Sequence, residues 1–574
     1  MRSSKSSALA AAAAFALAGL AVFLVRDHTR EDAMSIDEPI HILSGYFSVA
    51  SRSAIVNLEH PPLMKVLAGL ALSSLPLAPA PAEVPMDSFL TFGPAFFFSN
   101  RVPVDQILAT ARAPFLLVYA ALVLLVFFAA RSRYGNVPAL LAAALLALDS
   151  NLIAHAGVVH TDLGAALMFP AAVLAWEAAR RRPTALRLLL AALTVGLALV
   201  TKFSTVYLIP ILLLQTLLAP RSPDAGPGLG KSLLRLTAVG AGALVVVFAV
   251  YALVTARMDR EAQKAVLREM IATKGGDPVL AERLVRLAQI SPALAQYAGG
   301  IASVARHNTV GGISYLNGRI STSGFPEYFL VAFLVKSTLA FLAITATVLV
   351  AAIRRWSDFA QEMRLFLLPV AVLFLASVGS SYNLGIRHLL PVYSFLALLA
   401  SALFARVWAR RRESRGARVA AALWLLLPVV SAIETARIHP HELSYFNALA
   451  GGPEGGRKIL SDSNVDWGLD LRRLKAELER RGIAGPTVSY FGGDNVSYRL
   501  GLPDFSALPV VRGNTVAISA FFEAAGPEFY AYHGFHELAG AMRKLQRRIA
   551  AEGRLIGRVG YSIHLYELSP GGRP

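Results

Sequence analysis

Long apolar runs alternate with short charged connections through the first three quarters of the chain. A helix that crosses a membrane needs about 20 mainly apolar residues. Eleven such runs are predicted as transmembrane helices, at residues 8–25, 114–130, 137–148, 163–179, 186–200, 203–218, 233–254, 328–353, 365–379, 389–404 and 419–433. The first run, with its basic start, also has the pattern of a signal peptide. We interpret it as an uncleaved anchor.

Three longer and more polar segments interrupt or follow these runs, at 26–112, 255–327 and from 434 onward. The pattern therefore predicts a transmembrane domain over 1–433, which includes the outer loops 26–112 and 255–327, and a separate domain over 434–574. In this tail, candidate strands (487–491, 515–520 and 561–568) alternate with helical patterns (469–481 and 537–552). Such alternation favours a small α/β domain.

Composition agrees with a membrane protein. Hydrophobic residues make up 55% and charged residues 16% of the 574 residues, against about 25% charged in soluble domains. Mean hydropathy is +0.54. The absence of cysteine excludes disulfides, Cys-ligated zinc, iron–sulfur clusters and thiol nucleophiles.

The net charge of +18 is distributed asymmetrically. With the N-terminus inside, the inner connections hold twenty Lys and Arg residues, whereas the short outer turns hold only Lys202 and Arg387. The positive-inside rule explains this excess without a nucleic-acid partner. We expect a multi-pass protein of the cytoplasmic (inner) membrane with a cytoplasmic N-terminus and an extracytoplasmic tail. The amphipathic segment 260–296 is expected to lie on anionic lipid, to cover the site or to be a solvated connecting helix.

The first outer loop carries the first candidate chemistry. Asp37 precedes Glu38 and a proline, so Asp37 is either a helix N-cap or a general base above the membrane. Further on, Glu59 and His60 are candidates for binding a metal or an anionic headgroup, although two ligands do not complete a metal site. Lys65 follows on an apolar helix, where snorkelling to lipid headgroups is an alternative role.

Further ionisable residues occur at the outer ends of later runs. The turn at 149–162 ends with His160 and Asp162, which form either a structural hydrogen-bond network or part of a site that faces Asp37. Arg387 and His388 start a span, and arginine suits bidentate binding of phosphate. Lys336 comes about 12 Å along its predicted helix, so we expect it to have a buried anionic partner.

Carboxylates and cations on one side of the membrane fit transfer from a phosphate leaving group, whose developing charge the cations stabilise. The carboxylates and histidines are Asp37, Glu38, His160 and Asp162, and the cations are Lys202, Lys336 and Arg387. Because the site faces lipid, the phosphate is expected to carry a lipid.

Seven motifs occur in this order: DEPIH, EHPPLMK, AHAGVVHTD, TKFS, YLNGR…GFPEYF…VK, GIRHLLPVY and SDSNVDWGLDLRRL. Together they resemble the polyprenyl-phosphate-dependent glycosyltransferases of GT-C fold. The pattern is most similar to bacterial members of the dolichyl-phosphate-mannose protein mannosyltransferase family and, more distantly, to lipid A aminoarabinose transferases. The resemblance implies a polytopic α-helical membrane protein with about 11 transmembrane helices and a small extracytoplasmic α/β domain.

The resemblance also implies a sugar donor on a polyprenyl monophosphate and inversion at the anomeric carbon. Asp37 matches the general base, Glu38 its acidic neighbour and Asp162 the acidic position of the second outer turn. Glu59 and His60 match a segment that lines the donor phosphate, where the relatives often carry lysine at the second position. The candidates for phosphate and headgroup contacts are Lys202, Lys336, Arg387 and His388.

The acceptor is expected to be a protein, a lipid or a glycan, and membrane lipids are expected partners. No metal ligands are assigned, and a divalent metal remains an option. In the tail, Asp462, Asn464 and Asp466 alternate as in a calcium loop, but Arg473 occupies the position that an EF-hand gives to glutamate. This stretch is interpreted as a turn and N-cap, or as an acceptor-sugar site helped by Trp467.

The alternative function is a transporter or flippase for a lipid-linked sugar. Transporters commonly show inverted repeats and paired broken helices near the midplane, and the sequence shows neither. A membrane scaffold is a third hypothesis, which gives no role to Lys336.

Overall fold

The structure is a computed structural model that describes residues 2–80, 92–220, 228–272, 277–354, 357–502 and 513–569. Residues 81–91 and 273–276 of the predicted outer loops, and residues 503–512 and 570–574 of the tail, lie outside the described residues. Arg221 and Arg355, two of the basic residues counted on the inner side, lie outside the described residues.

Within the described residues, seven helices are long and apolar enough to cross a membrane. They are Lys5–His28, Val104–Tyr134, Asp162–Arg181, Leu229–Val254, Ser357–Val378, Ile386–Arg410 and Arg415–Ile438. An eighth span is present if Asn136–Ala147 and Ser150–Ala156, which meet at an angle of 60°, count as one. The prediction of a multi-pass α-helical membrane protein is confirmed.

The remaining three predicted spans correspond to shorter apolar helices, Ala185–Leu199, Phe203–Leu217 and Leu339–Arg354. Their length alone does not decide whether they cross, so the count of eleven stays a prediction. The last of the three is shortened because the run 328–353 is not one helix.

That run breaks into Tyr328–Lys336 and Leu339–Arg354. Side chains satisfy the backbone groups that the break frees. The amide of Asn447 donates to two carbonyls at 2.7 and 2.8 Å, and that of Asn151 donates to a third at 2.8 Å. Glu434 accepts the first amide after the break at 3.0 Å. Away from water, backbone polar groups need such partners. The prediction of a continuous span was wrong, because these partners come from distant segments of the chain and allow the helix to break.

The helix Ile386–Arg410 lies at the centre of the helical layer. It packs against Asn136–Ala147, Asp162–Arg181 and Val104–Tyr134, and its residues 390–404 are all buried. A helix that is apolar on every side is expected in such a position. Because the site residue Arg387 begins this helix, the centre of the bundle fixes its position.

The first outer segment forms the helices Glu38–Ala50, Leu63–Leu72 and Gly93–Phe98. The first two cross so closely that a Cβ at Gly45 would lie 2.0 Å from the carbonyl oxygen of Lys65. Glycine is therefore required at this crossing, which sets the distance between the Asp37 end of one helix and the Lys65 end of the other.

The second outer segment packs on the first. Its elements are the helices Arg260–Ala272, Pro278–Ile290 and Pro292–Val310 and the antiparallel strands Ser314–Leu316 and Arg319–Ser321. Leu267 and Leu284 bury the apolar faces of the first two helices in the same core as the first segment. The predicted helical segment 260–296 thus forms helices that pack on the first outer segment. Lys274, one of its cations, lies outside the described residues.

The tail contains a four-stranded sheet in the order Thr487–Ser489, Thr515–Ser519, Ile563–Leu568 and Gly553–Val559. The first pair is parallel and the others are antiparallel. The tail helices are Gly452–Ile459, Leu471–Arg481, Val496–Leu500, Ala520–Tyr532 and His536–Glu552. The predicted small α/β domain is confirmed; its strand Gly553–Val559 was missed, because its burial does not alternate along the strand.

A connecting segment, residues 461–470, joins the tail to the helical layer. The side chain of Asn464 accepts from the backbone amide of Ile386 at 3.0 Å and donates to the hydroxyl of Tyr328 at 2.9 Å. The carbonyl of Trp467 accepts from the amide of Ile36 at 3.0 Å. These contacts bring tail residues directly to the predicted site.

Candidate active site

Four segments of the chain meet at the candidate site. They are the start of the helix Glu38–Ala50, the turn before the helix Asp162–Arg181, the turn Ile386–Leu389 and the connecting segment 461–470. Each brings a charged or aromatic side chain to the same place, at the ends of apolar helices.

Asp37 and Arg387 form the centre of the site. Nη1 of Arg387 donates to Oδ2 of Asp37 at 2.9 Å. The Asp37 side chain is 34% exposed, whereas Arg387 is 5% exposed. Asp37 makes no side-chain cap hydrogen bond to the helix that it precedes, so the structure does not support the N-cap role. A partly open carboxylate is thus held by a buried cation.

The guanidinium of Arg387 also lies 4.6 Å above the ring of Trp467. A cation over the face of a tryptophan is attracted by the ring quadrupole. Trp467 is 1% exposed, so it supports the guanidinium from the tail side and fixes its plane.

Asp162 links the site to Lys202 and His160. Its two carboxylate oxygens contact Nζ of Lys202 and Nδ1 of His160. Nε2 of His160 lies 3.3 Å from Nη1 of Arg387 and 3.5 Å from Oδ2 of Asp37. Five residues predicted from the sequence therefore form one continuous polar chain.

The rest of the turn at 149–162 is structural. Oδ1 of Asp149 accepts from the amide of Leu152 at 3.0 Å and caps the helix Ser150–Ala156. His155 contacts the carbonyl of Asn151 through Nδ1 at 2.8 Å. The turn thus divides between a local hydrogen-bond network and a site-facing half.

Three imidazoles lie side by side at this site. The ring centroid of His41 lies 4.7 Å from that of His160 and 4.8 Å from that of His60. The ring centroids of His60 and His160 are 5.4 Å apart. Burial lowers the pKa of His41 and of His60 well below the usual value, and the nearby Lys65 acts in the same direction. Both rings are therefore neutral at neutral pH.

Glu38 is the adjacent carboxylate and has a different environment. It is fully buried and receives Nε and Nη2 of Arg112, both at 2.7 Å. The backbone amides of Ser35 and Val159 also donate to it, at 2.8 and 3.0 Å. These contacts tie the loop that carries Asp37 to a neighbouring helix and to the turn before Asp162.

Lys65 and Lys336 are buried lysines whose direct hydrogen-bond partners are neutral carbonyl groups. Nζ of Lys65 donates to the carbonyls of Asn57 and His60, both at 2.7 Å. Nζ of Lys336 donates to the carbonyls of Leu443 and Asn464, both at 2.7 Å.

The Lys336 ammonium also lies 4.6 Å from the ring of Phe446. The expectation of a buried anionic partner for Lys336 stays a prediction, because its direct contacts are carbonyl oxygens and an aromatic ring, whereas the buried carboxylate of Asp149 acts on it only at longer range. The carbonyls belong to irregular tail segments that no helical periodicity reveals.

Glu59 and His388, the two remaining predicted site residues, have partners of their own. Oε1 of Glu59 accepts from Oγ of Ser303 at 3.2 Å and contacts Nδ1 of His307 at 3.2 Å. His388, next to Arg387 in the chain, stacks on the ring of Phe329 with a centroid distance of 5.7 Å. Both side chains are partly accessible.

His41 lies near the site and was not predicted as a site residue, whereas the stretch with Asp462 was predicted as a turn and N-cap or as an acceptor-sugar site. His41 follows Asp37 by one helical turn, which was the available signal. Asp462 lies in the tail motif with φ of 56°. Burial raises the pKa of the Asp462 carboxyl to about 6, although Arg387 opposes the shift. The alternation of Asp462 with other polar residues did not reveal its nearness to Arg387.

The helices and this charged site define a multi-pass membrane protein whose polar centre lies between the ends of its apolar helices and a small α/β domain. Residues 105–252 match the family model described as Dolichyl-phosphate-mannose-protein mannosyltransferase. The matched range includes Asp162 and Lys202. For this part of the chain, the match confirms the resemblance indicated by the motifs. A comparison with curated proteins gives no match.

Solved structures that match this chain include an archaeal oligosaccharyltransferase and ArnT. One is AglB of Archaeoglobus fulgidus with an inhibitory peptide and a dolichol-phosphate, at 12% identity over 98% of this chain and 75% of that chain (TM-score 0.46). The other is ArnT of Cupriavidus metallidurans bound to undecaprenyl phosphate, at 12% identity over 97% and 98% (TM-score 0.46).

A third is the A. fulgidus oligosaccharyltransferase tethered with an acceptor peptide, at 12% identity over 75% of this chain (TM-score 0.45). The alignment spans 55% of the length of that oligosaccharyltransferase.

Proposed function

We propose that this protein is an inverting glycosyltransferase that moves a sugar from a polyprenyl-phosphate donor to an acceptor at the outer face of the cytoplasmic membrane. The observation that carries the proposal is the partly exposed carboxylate of Asp37, held 2.9 Å from the buried guanidinium of Arg387. The pair lies at the ends of apolar helices, where we propose that the lipid-linked donor and the acceptor meet. The family match over 105–252 supports the same reaction class.

Asp37 acts as the general base. It takes the proton from the acceptor nucleophile, which attacks the anomeric carbon from the side opposite the phosphate. The bond between the anomeric carbon and the phosphate oxygen breaks, and its electrons leave with the polyprenyl phosphate. Arg387 and Lys202 stabilise the charge that develops on this leaving group, and Asp162 orients Lys202.

The other predicted site residues divide into two groups. Glu59, His60 and His388 are partly accessible and are proposed to contact the donor headgroup or phosphate. Glu38, Lys65 and Lys336 are buried with their polar atoms engaged by protein groups. We assign them positioning roles instead of substrate contacts.

The orientation follows from the distribution of basic residues. Lys and Arg concentrate in the connections on the same side of the helical layer as the N-terminus, which supports a cytoplasmic location for that side. The site, the outer segments and the α/β tail are then extracytoplasmic. The acceptor is a protein, a lipid or a glycan, and the connecting segment with Trp467 is the tail surface nearest to it.

The deciding experiment combines donor binding with transfer. Detergent-solubilised full-length protein receives a panel of undecaprenyl- and dolichyl-phosphate sugars, and the thermal shift and product formation are recorded. We expect one donor to stabilise the protein. Arg387→Ala should lose the shift, whereas Arg319→Ala, which removes an exposed arginine paired with Glu327, should keep it.

Asp37→Asn should retain the donor-induced shift but lose transfer. If no lipid-phosphate sugar shifts the protein, the proposal is wrong. Movement of labelled lipid across reconstituted vesicles without product would instead establish a flippase.

A further inference from the structure

We propose that an arginine cluster at the end of the helical layer opposite the candidate active site binds the headgroup of an anionic phospholipid. The cluster consists of Arg133, Arg181, Arg182 and Arg187. The helix Asp162–Arg181 has Asp162 of the site at one end and Arg181 at the other, and a helix of this length spans about 30 Å. The arginine cluster is therefore separate from the site and from the proposed transfer reaction.

A buried carboxylate holds the arginine cluster in place. Glu177, which is 3% exposed, accepts from Nε of Arg181 at 2.7 Å and from Nη2 of Arg364 at 2.9 Å. Nε of Arg180 donates to the same carboxylate at 3.0 Å. Arg364 reaches Glu177 from a segment 187 residues further along the chain. Because Arg181 and Arg364 alone exceed the charge of one carboxylate, this end of the helical layer keeps an excess of positive charge.

Two donors of Arg181 are free to bind an anion. The side chain is 47% exposed, and only Nε contacts Glu177. Nη1 and Nη2 therefore have no hydrogen-bond partner among the residues that the structure describes. Since the contact through Nε fixes the guanidinium, these two nitrogens are preorganised to donate to the oxygens of a phosphate.

The other arginines of the cluster add positive charge without a carboxylate partner. Arg133 is exposed and donates through Nη1 to the carbonyl of Ala129 in its own helix at 3.0 Å. It lies close enough to Arg181 for the two charges to repel each other. Nη1 of Arg187 donates to the carbonyl of Arg182 at 3.1 Å. A phosphate bound between these side chains would replace their mutual repulsion by attraction.

A leucine row continues from the arginine cluster along the helix Ala185–Leu199. Its members are 40–64% exposed and recur on one face of the helix; they are Leu186, Leu189, Leu190 and Leu193. The helix packs against Leu229–Val254 and Asp162–Arg181. The row extends for about 10 Å from the cluster, so a charged end and an apolar surface follow each other as the headgroup and acyl chains of a phospholipid do. A free phosphate ion would leave the leucine row without a partner.

Two ordinary roles of arginine do not account for this arrangement. The positive-inside rule explains how many basic residues lie on this side, and cations near a helix C-terminus are favoured by its dipole. Neither explains why Arg181 and Arg364, from distant segments, converge on the buried carboxylate of Glu177. Basic pockets between transmembrane helices bind anionic lipid headgroups.

The charge of the cluster selects a phospholipid with net negative charge, such as phosphatidylglycerol. A zwitterionic headgroup brings an ammonium group, which the arginines repel. The bound lipid would lie at the ends of the helices Val104–Tyr134 and Asp162–Arg181, which pack against each other. Its binding should therefore stabilise the helical layer.

The test measures lipid binding and needs no sugar donor. Full-length protein in detergent is washed free of co-purified lipid and titrated with phosphatidylglycerol, with phosphatidylcholine of the same acyl chains, or with glycerol 3-phosphate. Native mass spectrometry counts the bound molecules, and the thermal midpoint is recorded in parallel. We expect one phosphatidylglycerol per chain, bound at least about 10-fold more tightly than phosphatidylcholine, because one basic residue near an anionic headgroup contributes about 5-fold.

Arg181→Gln should weaken the binding of phosphatidylglycerol by about 5-fold. Arg410→Gln is the matched control, because it removes an exposed arginine from the same side of the helical layer, at the end of the helix Ile386–Arg410. It should leave the affinity unchanged. Arg182→Gln, at an exposed position, provides a second variant if Arg181→Gln does not fold.

Equal affinity for phosphatidylglycerol and phosphatidylcholine would overturn the proposal. The same holds if Arg181→Gln and Arg182→Gln both bind phosphatidylglycerol as tightly as Arg410→Gln does. Glycerol 3-phosphate that binds as tightly as phosphatidylglycerol would assign the cluster to a free phosphate and reject the lipid.

Discussion

Replacing Asp37 by asparagine tests the role of the general base most directly. The substitution keeps the size and shape of the side chain and leaves an oxygen that still accepts from Arg387 at the observed 2.9 Å. Because Arg387 also retains His160 and the ring of Trp467, the cationic part of the site should stay in place. The variant therefore removes proton transfer while preserving donor binding.

The expected loss of rate follows from the contribution of a general base. Such a group accelerates a reaction by about 10²–10⁴-fold, which corresponds to about 3–5 kcal/mol of barrier at 1.36 kcal/mol per tenfold. Initial rates at saturating donor measure kcat, and the thermal shift with donor measures binding. We expect kcat to fall by that factor and the donor-induced shift to remain.

Asp105→Asn is the matched control. Asp105 is 44% exposed, pairs with Arg499 and lies on the same side of the helical layer. Transfer by Asp37→Asn at the rate of this control would show that Asp37 is not the base. Loss of the donor-induced shift with kcat preserved would instead assign Asp37 to donor binding.

Three further outcomes are expected. Arg387→Lys should raise the donor KM by about 10–100-fold, since a charge-assisted hydrogen bond contributes about 1.5–3 kcal/mol; an unchanged KM would remove Arg387 from the donor site. Glu38→Gln should reduce stability by about 3–5 kcal/mol, because it leaves the buried guanidinium of Arg112 without its counter-charge. Glu59→Gln, at a 34% exposed position, should change the thermal midpoint much less. Equal thermal midpoints for the two variants would contradict the positioning role of Glu38. His439 is hydrogen-bonded to carboxylates on both ring nitrogens, which raises its pKa from 6.5 to about 9. Its contribution to stability is therefore complete below the unfolded pKa and is lost as pH rises through about 9. The thermal midpoint should fall over this interval by more in the unaltered protein than in His439→Gln, and parallel curves would refute the role of His439.

The membrane-embedded part of the fold could be predicted because lipid imposes a simple rule. An apolar run of sufficient length has few alternatives to a helix in the bilayer. Ten of the eleven predicted runs lie on an apolar helix, although Val104–Tyr134 begins ten residues before its predicted start. The exception, 328–353, breaks where Asn447 and Asn151 supply hydrogen bonds from distant segments. Hydropathy contains no information about such partners.

The site could be predicted in part. The spacing of the spans predicted that the ionisable residues lie at one set of helix ends, and the structure brings Asp37, His160, Asp162, Lys202 and Arg387 together. The carbonyl partners of Lys336 and the ring of Trp467 under Arg387 were beyond sequence reasoning. Both come from irregular tail segments whose position depends on the packing of the whole chain.

Asp37 and Glu38 show most clearly what each level of description decides. The sequence determined that two adjacent carboxylates follow the first span, because charge and hydropathy act along the chain. Only the tertiary structure decided that one is 34% exposed beside Arg387 and the other fully buried against Arg112. The two side chains point to different neighbours, and those neighbours lie 350 and 74 residues away in the chain. Their chemistry therefore depends on contacts that only the folded chain creates.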